Sequence, residues 1–204
     1  MRIGIVVGSH RQESESGRVG RYLQTQLQDL GVETWLRDLG QDPLPLWDEG
    51  VFGGTARADW SFLPALSAEL KATDAFILIA PEWHGMVPSG LKNFLMMWGG
   101  NGELAHKPAL LVTLSSVDGG ATPIAELRMS GYKNNRICYM PEQLVIRNVG
   151  TVFHADDSKN NPEAHQYFVD RAAYCLDLLV EYARAFEAIR SSGKASLEQY
   201  PNGM

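Results

Sequence analysis

Three short stretches carry side chains of the types and spacing that bind charged or planar molecules. The first is Gly8-Ser9-His10-Arg11-Gln12-Glu13-Ser14-Glu15-Ser16, which follows the apolar run Ile3-Gly4-Ile5-Val6-Val7 and precedes a segment of helical periodicity. A helix that begins near Ser14 or Ser16 leaves its first N–H groups unpaired, and those donors at the positive dipole end favour an anion. Ser9, Ser14 and Ser16 add hydroxyls, and Arg11 can fork onto two oxygens of one phosphate. The chemistry on offer is grip on the phosphate end of a nucleotide-type ligand. Taken alone, the stretch reads equally as a serine-capped helix beside a solvated arginine. It contains neither G-x-x-x-x-G-K-[ST] nor G-x-G-x-x-G, so neither an ATPase loop nor a dinucleotide turn is supported.

The second stretch, Pro81-Glu82-Trp83-His84-Gly85-Met86-Val87-Pro88-Ser89-Gly90-Leu91-Lys92-Asn93, has the Pro and Gly content of an irregular backbone. Its N–H and C=O groups can face a ligand instead of a ladder, and Trp83 offers a flat face for a ring. The third, Ser115-Ser116-Val117-Asp118-Gly119-Gly120, cannot form a regular element.

Elements around these stretches must bring them together. Val19, Tyr22, Leu23, Leu27 and Leu30 recur at helical steps and stop at Gly31, and Val32 to Arg37 mixes β-branched, aromatic and charged residues as an edge strand does. A long turn-rich loop runs from Gly40 to Thr55, and loops of that length are usually functional. A second helix holds Trp60, Leu63, Leu66 and Leu70; Ala75 to Ala80 and Ala109 to Leu114 are apolar without alternation, like parallel strands covered on both faces. Leu91, Leu95 and Trp98 mark a third helix, a fourth is expected from about Pro123 to Arg136, and Gln143 to Ile146 reads as strand five. Asn161-Pro162 opens the last helix, which runs through Ile189 with a polar, frayed tail from 191 to 204. One domain, residues 1–190, is expected.

Alternating strands and helices imply an α/β fold, a doubly wound five-stranded parallel sheet. In strand order 2-1-3-4-5 the direction of winding reverses between strands one and three, so the loops after them line one crevice.

Composition narrows the function. Eighteen Lys and Arg against 24 Asp and Glu, a net charge of −6, argue against a nucleic-acid partner. The five histidines show no metal-ligand spacing, so no metal is expected. Cys138 and Cys175 are too few for a disulfide framework, and no signal peptide or membrane span is evident, so a cytoplasmic protein without a membrane partner is expected.

Gly8-Ser9-x-Arg11-x-x-Ser14-x-Ser16 followed by Pro81-Glu82-Trp83-His84-Gly85-x-x-Pro88-x-x-Leu91-Lys92-Asn93 resembles the NADPH-dependent FMN reductase family of flavodoxin-like flavoproteins. The resemblance extends to Ser115–Gly120 and Pro141–Val145 and covers roughly residues 1 to 185. It implies that Ser9, Arg11, Ser14 and Ser16 hold the FMN phosphate, that Pro81, Glu82, Trp83, His84 and Gly85 flank the isoalloxazine, and that Ser115, Ser116, Gly119 and Gly120 close its other edge. Three positions depart from the family pattern: Ser16 and His84 stand where Asn is usual, and Trp83 stands where Tyr is usual.

The resemblance further implies a hydride taken from NADPH or NADH onto FMN and electrons passed to a small acceptor (quinone, azo dye, free flavin or metal ion) in ping-pong order. Glu82 is read mainly through its backbone, and His84 is the candidate titratable group beside the ring. Arg57 and Arg128 are candidates for reading a nicotinamide phosphate. A flavodoxin-type one-electron carrier and a non-redox binding protein on the same fold are the alternatives. The resemblance implies a homodimer or homotetramer, since the related proteins are usually dimers or tetramers, and Met86, Val87, Phe94, Met96, Met97 and Trp98 give more apolar surface than one core face needs, which points to a subunit contact on helix three.

Overall fold

The computed structural model describes residues 1–203. Five strands, β1 (Arg2–Val7), β2 (Glu33–Asp38), β3 (Ala75–Pro81), β4 (Pro108–Leu114) and β5 (Cys138–Ile146), alternate with α1 (Glu15–Asp29), α2 (Leu63–Lys71), α3 (Ser89–Met97), α4 (Ala121–Met129) and α5 (Pro162–Ser191). Every pairing is parallel, in the order β2-β1-β3-β4-β5. Because successive strand residues face opposite sides, Ile3, Ile5, Val7, Ile77 and Ile79 pack with Leu23 and Leu27 of α1 and Leu176 and Leu179 of α5. Val6, Phe76 and Leu78 pack instead with Leu91 and Phe94 of α3 and Leu127 of α4. β3 and β4 are buried along their whole length, while edge strand β2 buries only Asp38.

Local signals misplace several boundaries. α4 ends at Met129, short of the expected Arg136, because Ser130 is extended, Gly131 takes φ +76°, and Asn135 ties the following turn to the Gly131 and Leu95 carbonyls. β5 starts at Cys138, earlier than Gln143: Ala109 pairs with Tyr139 but Leu111 with Gln143, so the strand bulges across Pro141, which cannot donate to a ladder. α2 starts at Leu63, and Trp60 lies before it, buried, with its indole N–H on Asp48 Oδ1 at 2.8 Å. The tail folds back rather than fraying free: Arg136 donates to the Pro201 carbonyl at 3.2 Å, and the Gly203 N–H to Asn134 Oδ1 at 3.2 Å.

The apolar surplus around α3 is mostly consumed by the core. Val87, Phe94, Met97 and Trp98 are buried, and only Met86 and Met96, 51% and 56% exposed, reach the surface. No helix of the described residues is long and apolar enough to cross a membrane.

Candidate active site at the carboxyl edge of the sheet

The ladders run on past the strand ends and set three loops side by side. Gly8 N–H donates to the Ile79 carbonyl at 2.8 Å, Glu82 N–H to Leu114 at 2.9 Å, and Ser115 N–H to Ile146 at 2.9 Å. The loops after β1, β3 and β4 therefore open on one edge.

In the first loop Ser14, not Ser16, caps α1, accepting the Gly17 N–H at 3.0 Å from an extended backbone. Ser16 lies inside the first turn and is 2% exposed. Ser9 is 1% exposed, and its Oγ accepts the Arg11 N–H at 3.2 Å, curling the loop so that Arg11 stays on the surface. Arg18, one turn into α1, braces this end by donating to the Val149 carbonyl at 2.7 Å and to that of Val152.

The second loop is a hairpin. Trp83 and Met86 exchange N–H donors at 3.2 and 2.9 Å across His84 and Gly85, whose φ values are +52° and +73°. Two positive φ values in a two-residue turn are the type I′ pattern, which Asn-Gly satisfies best and His also tolerates. The position of His84 thus has a backbone reason independent of any proton. Val87 N–H donates to Glu126 Oε2 at 2.7 Å, and Lys92 pairs with the same carboxylate at 2.5 Å, which ties hairpin, α3 and α4. Burial raises the Glu126 pKa, but the bonds from Lys92 and Val87 outweigh it and leave the carboxyl below its ordinary range.

The third loop is held to the second by Glu82. Its carboxylate accepts the Gly120 N–H at the start of α4, and a Cβ on Gly119 would fall 2.9 Å from Glu82 Oε1. The Glu82 side chain thus ties the second loop to the third. Thr113 Oγ1 donates to the Gly120 carbonyl at 2.6 Å, and Arg147 Nε to that of Asp118 at 2.7 Å, so both flanks of Gly119 are fixed. Ser115 Oγ accepts the Val117 N–H at 3.2 Å, and Ser116 is exposed.

First and second loops meet at Trp83. The His10 ring lies edge-on to it at 5.7 Å between centroids, and the Arg11 guanidinium stands over the indole at 5.8 Å. Pro81 ends β3 in the buried floor, and Gly85 is half-buried in the turn. Among the other candidates, Arg128 is committed to the Met140 and Pro141 carbonyls and to Gln143, which leaves it no free fork for a phosphate. Arg57 stays exposed, 3.9 Å from Asp48.

Two residues that shape the site were given no role by the sequence. Asn93, though part of the Leu91-Lys92-Asn93 stretch, clamps the long loop: its amide donates to the Pro45 carbonyl at 2.8 Å and accepts the Trp47 N–H at 2.8 Å. Asp48 organises the same loop. Burial works to raise its pKa, but the Arg57 and Gly50 N–H groups, the Trp60 indole and the Arg57 charge together leave it lowered. A groove of about 590 Å³ lies beside the crevice rather than within it, walled by Trp47, Phe52, Leu95, Met96 and Trp98.

A doubly wound sheet whose first, third and fourth loops gather a helix N-terminus, an exposed arginine and a flat indole defines a flavodoxin-like protein. The chain belongs to the NADPH-dependent FMN reductase family, whose family model matches residues 1–151. It is 27% identical over 191 residues to the FMN-dependent NADH:quinone oxidoreductase of Shewanella loihica, across 82% of this chain and 92% of that one. It is 29% identical over 149 residues to the NADPH azoreductase of Bacillus sp. strain OY1-2, across 72% and 76%. Among solved structures, the flavoenzyme NAD(P)H:(acceptor) oxidoreductase FerB of Paracoccus denitrificans superposes with a TM-score of 0.67 at 18% identity, covering 91% of this chain and 98% of that one.

Proposed function

We propose that this FMN-dependent oxidoreductase divides its cofactor between the loops it gathers. Ser9, Arg11, Ser14 and Ser16 with the first N–H groups of α1 would hold the phosphate. Trp83, His84 and Gly85 above Pro81 and Glu82 would flank the ring, with Ser115, Ser116, Gly119 and Gly120 along its far edge. The donor set suits that assignment, because Arg11 is exposed at a helix N-terminus while Trp83 presents its indole in the same crevice. FMN, when bound, supplies the redox chemistry, accepting a hydride from NAD(P)H and returning electrons to a small acceptor.

The chain's own residues bind and orient. Glu82 fixes the Gly120 N–H and so would set the edge along which the ring is held. Glu126 and Lys92 hold the hairpin against α3, which keeps Trp83 in register with Arg11. No side chain has to donate or accept a proton for the first half-reaction. The meeting of Arg11 and Trp83 is the observation that supports this reading best.

We infer that the acceptors are quinones and azo dyes, the substrates named for the relatives in Shewanella and Bacillus. Free thiols at Cys138 and Cys175 suit a reducing cytoplasm. We further infer that a second copy covers the groove beside Met96, where exposed Phe52, Met86 and Met96 adjoin its apolar walls. A dimeric mass by light scattering is expected, and a monomeric one would refute that contact. The cofactor reading is tested by an absorption spectrum of the purified protein before and after NADPH. Flavin bands that bleach within seconds and return on adding benzoquinone are expected; a protein that takes up no FMN would refute it, and bound flavin that stays oxidised would point to an electron carrier.

A further inference from the structure

We propose that His10 is a positioning residue that clamps the phosphate loop onto the first turn of α3 and sets where Trp83 and Arg11 lie; this rests on the FMN reading above. α3 begins at Ser89 behind Pro88, which offers no side-chain cap. A helix start leaves its early N–H groups without intrahelical partners. Leu91 and Lys92 turn theirs back to the Pro88 carbonyl at 3.1 and 3.3 Å. Gly90 instead donates to His10 Nε2 at 2.7 Å, across 80 positions of sequence. An amide N–H can only donate, so Nε2 is the acceptor in this bond. The cap that Pro88 cannot provide comes from another loop.

Gly90 is an independent witness to the contact. A Cβ there would fall 2.6 Å from His10 Nε2, with Cδ2 and Cε1 at 3.2 and 3.3 Å, so the imidazole reaches a distance from the backbone that only glycine permits. The same ring meets Trp83 at 5.7 Å, and its chain neighbour Arg11 covers that indole. One imidazole therefore touches α3 and the ring-binding tryptophan while sharing a peptide bond with the phosphate-binding arginine. Displacing it shifts both ends of the cofactor site together.

The test titrates the FMN-free protein with FMN and follows flavin fluorescence. His10→Leu removes the acceptor and is expected to raise the dissociation constant about tenfold, the upper end of the net worth of one hydrogen bond. His10→Gln, whose amide oxygen can accept, is expected to return to within about threefold of wild type, a rescue that a purely packing role would not show. Gly90→Ala alone should weaken binding, yet add little to His10→Leu, because the imidazole it would displace is already gone. Unchanged affinity in His10→Leu, equal losses in the Leu and Gln variants, or fully additive losses with Gly90→Ala would each overturn the clamp. If His10→Leu does not fold, Gly90→Ala in the wild-type and His10→Gln backgrounds carries the same comparison. A wild-type protein that binds no FMN would refute the cofactor reading instead. The clamp then stands or falls on tryptophan emission, shifted in His10→Leu if it holds and identical to wild type if it does not.

Discussion

The two ends of the sheet treat polar groups in opposite ways. At the amino edge Lys107, 4% exposed, caps the end of α2 with bonds to the Leu70 and Lys71 carbonyls at 2.6 and 3.0 Å. Asp74 beside it accepts the Arg2 N–H at 2.9 Å and Arg190 at 3.1 Å. Those groups are buried or half-buried and spend their bonding capacity on one another. At the carboxyl edge the bonds of Ser14, Glu82, Glu126 and Asn93 fix loops, while Arg11 and Ser116 stay exposed. The difference teaches how to tell a site from a brace: both gather charge, but only a site holds donors rigid without using them up.

Substitutions at the two ends should separate binding from stability. The largest effect is expected for Arg11→Ala, which would remove the charge-assisted bond to phosphate proposed for Arg11 and should weaken FMN binding by roughly 10- to 100-fold. Arg11 is exposed, so the melting temperature of the FMN-free protein should stay unchanged; a large thermal loss in that variant would erase the distinction. Lys107→Ala should do the reverse. Leaving two helix-terminal carbonyls unpaired in a buried place costs about 2 kcal/mol, or roughly 4–8 °C in melting temperature, with FMN affinity of the folded protein preserved.

A pH series sharpens the contrast. Burial, with the nearby charge of Arg190, lowers the Lys107 pKa from 10.5 to about 8. Between those values the unfolded chain binds the proton that the folded chain has released, so this residue makes stability rise with pH across that window. Unfolding in urea from pH 8 to pH 10 should show that rise in the wild type and lose it in Lys107→Met. No such dependence is expected from Arg11→Ala. The smallest effects are expected in the hairpin. His84→Asn suits the same left-handed turn and should change stability by only a few tenths of a kcal/mol, whereas His84→Val should cost about 1–2 kcal/mol. If His84 serves the backbone alone, turnover with NADPH will survive in the Asn variant; a large loss there would make it a catalytic group.

Much of the framework of the candidate site was legible because its determinants are local. The serine loop between an apolar run and a periodic segment announces a helix N-terminus, and Ser14 caps it. The Pro81–Pro88 stretch reads as an irregular loop for the same reason, its glycine and prolines constraining their own dihedrals. Asn161-Pro162 marks the start of α5 without reference to anything distant. Strand identity, the alternation with helices and the parallel sense of the strands likewise follow from periodicity and chain connectivity.

What lay beyond the sequence are choices of partner across the fold. Nothing near Glu82 says that its carboxylate will hold Gly120, nor does anything near His10 say that it will cap a helix at Gly90. The apolar residues of α3 look surplus until Phe94, Met97 and Trp98 find their core, and Pro141 looks like a strand boundary until β5 bulges around it. Propensity and periodicity act over a few residues, so the sequence determined which elements form and where their polar turns fall. Which donor meets which acceptor depends on packing that brings residues 10, 83, 90 and 120 to one edge, and only the tertiary structure decided that.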